Sequence, residues 1–186
     1  DGNGQISDAE LMILVVHARD GQENYGDGCG ANPADPQNDH IWSHKWNMRN
    51  PIQVGPNLAA TIYLVVPNDC KVGVCAHELG HLVFQWQDFY DPNYDEDGSE
   101  WDGSGVWDLM AGGSYNGGGA RPAHPAALHK LQHGWVTTAT VKKSRKITLR
   151  PYSPSYGRVY KLVSSSFKPK QYFLLENRRR AGFDFN

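Results

Sequence analysis

Val72-Gly73-Val74-Cys75-Ala76-His77-Glu78-Leu79-Gly80-His81-Leu82-Val83-Phe84 is the stretch on which the fold turns. Apolar residues at 72, 75, 76, 79, 82 and 83 recur at helical spacing, which predicts a helix over residues 72–84. His77 and His81 then stand one turn apart on the same helix face. Two imidazoles so placed reach one Zn²⁺ at the usual Zn–N distance of about 2.0–2.1 Å. Glu78, one residue after the first of them, is placed to accept a proton from a metal-activated water. A third protein ligand is needed. Asp88, seven residues beyond His81 and just past the expected helix end, is the candidate; Glu100 and Glu176 are the competing oxygen ligands.

Outward from the helix, residues 11–16 (Leu-Met-Ile-Leu-Val-Val) form a continuous apolar run and are expected to be a buried strand. Residues 61–66 (Thr-Ile-Tyr-Leu-Val-Val), closed by Pro67, are expected to be a second. Residues 41–46 alternate and fit a short strand or turn, while residues 20–39 are rich in Gly, Asn, Asp and Pro and read as a long loop. Residues 91–120 read almost entirely as loop. Pro125 is expected to open a second helix that Gly134 closes. Beyond it, residues 135–141, 146–150, 158–163 and 171–175 read as strands of a smaller β region, so the fold class is α+β.

Oxygen-rich loops flank these elements. Asn93, Asp95 and Asp97 alternate and are followed by Gly98, the construction of a short calcium loop, with Asp91 and Glu100 within reach of the same ion. At the start, Asp1, Asn3, Gly4, Ile6 and Glu10 fit an EF-hand-like loop from its third position onward, so the chain is expected to be a fragment or processed product of a longer precursor. Met110, in Trp107-Asp108-Leu109-Met110-Ala111-Gly112-Gly113-Ser114, has the setting of a Met-turn. A second His pair, His129 and His133, carries Lys130 where the first pair carries Glu78, and is expected to be surface or interface histidine. His124 is a candidate to line the cleft.

The chain of 186 residues is sized for one domain with a sizeable core. No apolar run approaches the roughly 20 residues of a membrane helix. The net charge of −2 hides an asymmetry: residues 1–141 carry 18 acidic and 6 basic side chains, residues 142–186 carry 2 and 12. The basic part lacks a basic helix or aromatic–basic interleaving, so no nucleic-acid partner is expected. Of three cysteines, Cys75 reads as a buried thiol, and a Cys29–Cys70 bridge would suit an exported protein.

Together these blocks resemble the immune-inhibitor-A-type family of secreted bacterial zinc metallopeptidases. The resemblance runs through residues 41–46, 73–81, 88–91, 107–114, 122–135 and 172–178. It implies a zincin-like fold, with a twisted mixed sheet, an active-site helix and a smaller lower subdomain. The whole of residues 1–186 would be one catalytic domain, about 1–90 above and about 91–186 below. It implies endopeptidase action on protein substrates, export, catalytic zinc and stabilising calcium. Residue by residue, His77 and His81 become zinc ligands, Glu78 the general base, Asp88 the acidic ligand after the helix and Met110 the Met-turn. The bend after His81 departs from the family's Gly and Pro and reads Phe84-Gln85-Trp86-Gln87, so a non-glycine residue must make the turn. The departure motivates an alternative: a catalytically impaired, calcium-stabilised surface or binding module descended from a peptidase.

Overall fold

The apolar run at residues 61–66 lies in the middle strand of the first sheet. The computed structural model describes residues 10–18, 21, 41–91, 98, 101–152 and 157–184. The expectations for Asp1, Asn3, Cys29, Asn93, Asp95, Asp97 and Glu100 lie outside those residues. By compactness the chain divides into two units, Asp1–Gln87 and Asp88–Asn186.

In the first unit, β1 (Ile13–His17), β2 (His44–Gly55) and β3 (Leu58–Pro67) form a mixed sheet in the order β1-β3-β2. β1 runs parallel to β3, pairing Leu14 with Leu64, and β2 runs antiparallel, pairing Trp46 with Tyr63. A β-branched, aromatic segment closed by proline suits the central position, and Ala60, Leu64 and Val66 are buried there. β1 corrects the expectation of a buried strand: Leu14, Val15 and Val16 are exposed. An apolar run marks strand propensity, but among the described residues this strand is an edge with a single neighbour in the sheet. β2 is far longer than the stretch expected at residues 41–46. It continues past Pro51 across a register irregularity and returns through Pro56 and Asn57, with Gly55 paired to Leu58.

α1 (Val72–Phe84) has the expected extent. Leu82 packs with Leu64 and Val66, and Ile62, Cys70 and Cys75 lie against them. The buried side of α1 also carries Val74, His77 and Glu78, whereas Val72, Leu79 and Val83 are exposed. Two ionisable residues thus occupy the face that an ordinary amphipathic helix gives to aliphatic side chains. Cys75 is no thiol. It forms a disulfide with Cys70 across a Cα–Cα distance of 6.1 Å, replacing the expected Cys29–Cys70 pairing. Cys70 ends the turn after β3 and Cys75 lies in the first turn of α1, so the bridge clips the helix start to the strand that feeds it.

In the second unit β4 (Thr137–Val141), β5 (Arg158–Leu162) and β6 (Phe173–Leu175) form a three-stranded sheet, β4 parallel and β6 antiparallel to β5. α2 (Ala127–Gln132) is shorter than the expected 125–134 and packs Ala127 against Val136 and Val159. Its end is made by Gly134 at φ 69°, with the Trp135 N–H donating to Lys130 O. Residues 146–150 are not a strand: the Thr148 and Leu149 carbonyls accept from the Tyr160 hydroxyl and the Asn177 amide, side chains rather than a ladder. The long stretch expected to be loop holds two short 3₁₀ turns, Gly105–Trp107 and Gly112–Tyr115. The result is a mixed α+β protein built on two small sheets.

Candidate metal centre

α1 brings His77 and His81 together as the i, i+4 spacing requires. Their Nε2 atoms are 3.1 Å apart and their rings meet nearly edge-on, with centroids at 4.8 Å and planes at 88°. Two nitrogens on one tetrahedral zinc stand about 3.3 Å apart for Zn–N bonds of about 2.05 Å. The observed separation is within a few tenths of an ångström of that edge. One carboxylate oxygen of Asp88 completes the group: the three ligand atoms all lie within 4.8 Å of one another. The residues fall within one continuous run, 77–88, so the grouping is local in the chain. Two imidazoles and a carboxylate are a donor set that zinc accepts. Glu78 is buried on the same helix, next to His77.

The chain reverses after the helix as the sequence demanded. Gln85 adopts the left-handed conformation, φ 56° and ψ 33°, where glycine is the usual occupant. The Trp86 N–H donates to Gly80 O, and the Gln85 side-chain amide donates to Leu82 O. The Trp86 carbonyl oxygen then lies 2.7 Å from His81 Nδ1.

In the second unit, the Phe89 N–H, next to Asp88, donates to Met110 O at 2.7 Å. The Phe89 ring stacks on His129 at 4.5 Å. Gly103, at φ 60°, closes on the same residue: a Cβ there would lie 1.7 Å from Phe89 O. Met110 is fully buried. Asp108, which sequence reasoning passed over, organises this region. Its Oδ1 accepts from the Met110 and Ala126 N–H groups and its Oδ2 from the Ser104 hydroxyl. The signal was present: an Asp two residues before Met110 in a glycine-rich loop is an Asx-turn former.

Residues 1–140 match the family model described as the immune inhibitor A peptidase M6 catalytic domain. The chain belongs to this peptidase family. It is similar to the pre-pro-metalloprotease PrtV of Vibrio cholerae serotype O1 (strain M66-2), 32% identical over 138 residues, 66% of this chain and 14% of that protein. It is also similar to immune inhibitor A of Bacillus thuringiensis subsp. alesti, 33% identical over 129 residues, 63% of this chain and 17% of that protein. The chain thus spans about a seventh to a sixth of the length of these curated relatives.

Other candidates of this peptidase M6 chain lie elsewhere. Glu176, the competing oxygen ligand, is taken up by cations: Lys130 donates a short hydrogen bond to Oε2, and Arg178 donates to Oε1 at 2.9 Å. Asp91 is buried, and Glu10 is exposed in a turn. His129 is buried rather than at the surface, 4.0 Å from the Asp108 carboxylate, while His133 is exposed beside Trp135. His124 lies edge-on to Tyr152 and Phe183. Burial pushes its imidazole below the usual range; the Asp184 carboxylate opposes this, and the Lys130 and Arg178 charges add to it. Burial also lowers Lys130, with Glu176 pulling the other way. Among the described residues no helix is long and apolar enough to cross a membrane.

Proposed function

We propose that this chain is the catalytic part of a zinc-dependent endopeptidase that hydrolyses peptide bonds of protein substrates. The observation that carries it is the meeting of His77 Nε2, His81 Nε2 and an Asp88 carboxylate oxygen in a chain of a peptidase family. His77, His81 and Asp88 would hold the ion. Zinc, when bound, supplies Lewis-acid polarisation of a carbonyl and lowers the pKa of water. The Glu78 carboxylate takes the proton of the attacking water and returns it to the leaving amine nitrogen. Its burial suits this role, because exclusion of bulk water strengthens each electrostatic contact made there. Met110, fully buried, is the floor of a Met-turn.

Residues 1–186 act as one catalytic domain, with an upper part over about 1–90 and a lower part over about 91–186. The protein works outside the cell, a reading supported by the Cys70–Cys75 disulfide, which persists in oxidising compartments. Calcium is the second ion, held by Asp91 with Asn93, Asp95 and Asp97, and by Asp1, Asn3 and Glu10.

Elemental analysis of the purified chain counts both metals, and one zinc per chain is expected. Casein cleavage that stops with a chelator and returns with zinc completes the test. For Glu78→Gln the expected result is retained zinc and activity lower by orders of magnitude; for His77→Ala, loss of both. A zinc-loaded Glu78→Gln chain with full activity removes the proposed base, and a metal-free wild type removes the peptidase.

A further inference from the structure

His81 is held from behind. Its Nδ1 faces the Trp86 backbone carbonyl at 2.7 Å. A carbonyl oxygen only accepts, so Nδ1 carries the hydrogen. A neutral ring with its hydrogen on Nδ1 has its lone pair on Nε2, the atom that faces His77 Nε2 at 3.1 Å. That is the form in which an imidazole binds a metal through Nε2.

The carbonyl reaches His81 only because of the bend. Trp86 lies two residues past the last residue of α1, and an ordinary helical continuation would point its carbonyl along the axis. The left-handed Gln85 turns it back. The Trp86 peptide is then anchored at its N–H, which donates to Gly80 O at 3.2 Å. Trp86 is 4% exposed, and its indole stacks on Phe84, with centroids at 4.7 Å and planes at 24°. The Gln85 side chain closes the same turn on Leu82 O at 2.9 Å.

We propose that Trp86 is a positioning residue: its buried indole holds its own carbonyl against His81 and fixes that ring with hydrogen on Nδ1 and Nε2 turned to the metal. The residues that depart from a glycine-containing bend therefore contribute an orienting group and do not mark a decayed site. The role rests on the zinc reading for its purpose, but the ring's hydrogen is observable without zinc.

Long-range ¹H–¹⁵N NMR of the histidine-labelled full chain, metal-free and with one equivalent of zinc, tests it. In the metal-free chain His81 Nδ1 is expected in the protonated range, and on adding zinc the large shift falls on Nε2. Trp86→Phe keeps the stack on Phe84 and is expected to keep both signatures. Trp86→Ala is expected to give a mixture of tautomers and a zinc dissociation constant, from chelator competition, weaker by about 10–100-fold. A wild-type His81 with its hydrogen on Nε2, or zinc bound through Nδ1, overturns the proposal without any variant having to fold. So does a Trp86→Ala chain with unchanged tautomer and zinc affinity. A wild type that shows the Nδ1–H form yet takes up no zinc supports the orientation and defeats the peptidase reading, so the two fail separately.

Discussion

Asp108 shows how much one side chain organises. It is fully buried, and three donors from separate parts of the second unit end on its two oxygens: the Met110 and Ala126 N–H groups and the Ser104 hydroxyl. Asp108→Ala removes the acceptor and leaves these donors in a dry environment, each at about 1–3 kcal/mol. The expected outcome is a loss of about 3 kcal/mol or more in denaturant unfolding. Asp108→Asn keeps Oδ1 for the two N–H groups and turns an amide towards a hydroxyl that can accept, so it should lose less than half as much. Equal losses for Ala and Asn would show that the hydrogen bonds are not what matters there. At this scale the sequence is unevenly legible. That His77, Glu78 and His81 share one helix, with the two imidazoles one turn apart, was legible because a helix converts fixed spacing into fixed geometry. Asp108 was not, because its partners come from positions 104, 110 and 126, and no local period connects them.

At the scale of the element, α1 was legible in its extent, and so was the need for a non-glycine residue in its terminal bend. Gln85 meets that need at φ 56°, at a cost of about 1–2 kcal/mol against a right-handed conformation. Gln85→Gly relieves this strain but gives up the bond to Leu82 O and adds unfolded-state entropy. Thermal unfolding should therefore place it within about 1 kcal/mol of wild type. Gln85→Val puts a β-branched residue at positive φ, where it is a steric outlier, and should lose about 2 kcal/mol or more. A Val variant as stable as wild type would mean that the left-handed turn is not held. The strands were less legible. Residues 11–16 were recognisable as strand but not as edge, since edge position depends on which neighbours the whole sheet supplies. Residues 146–150 have strand composition, yet their carbonyls are satisfied by Tyr160 and Asn177, an outcome decided by tertiary contacts. The Cys70–Cys75 pairing was missed because it depends on the angle between a turn and a helix start.

At the scale of the whole molecule, the charge asymmetry along the sequence takes on a structural meaning in the second unit. The two acidic residues beyond position 141, Glu176 and Asp184, are consumed internally: Glu176 by Lys130 and Arg178, Asp184 by Arg178 and the His124 N–H. Arg178 is the centre of this arrangement. Its guanidinium also donates to the carbonyls of Trp107, His124 and Pro125, so a residue late in the sequence holds the segments before α2. The family match ends at residue 140, yet this clamp on residues 107–125 comes from beyond it. Arg178→Met keeps the stem volume but removes every donor. Three carbonyls and two carboxylates lose the hydrogen bonds that Arg178 donates, while Glu176 keeps Lys130 and Asp184 keeps the His124 N–H; the expected loss is about 3–5 kcal/mol, the range for breaking a buried pair. Because the Arg178 side chain is 7% exposed, salt should screen the clamp weakly. The difference in unfolding free energy between wild type and Arg178→Met should therefore be nearly the same at 0.05 M and at about 0.5 M NaCl. A difference that shrinks by more than half at high salt would mean that the cluster is solvent-exposed and acts as ordinary surface ion pairs, which contribute about 0–1 kcal/mol.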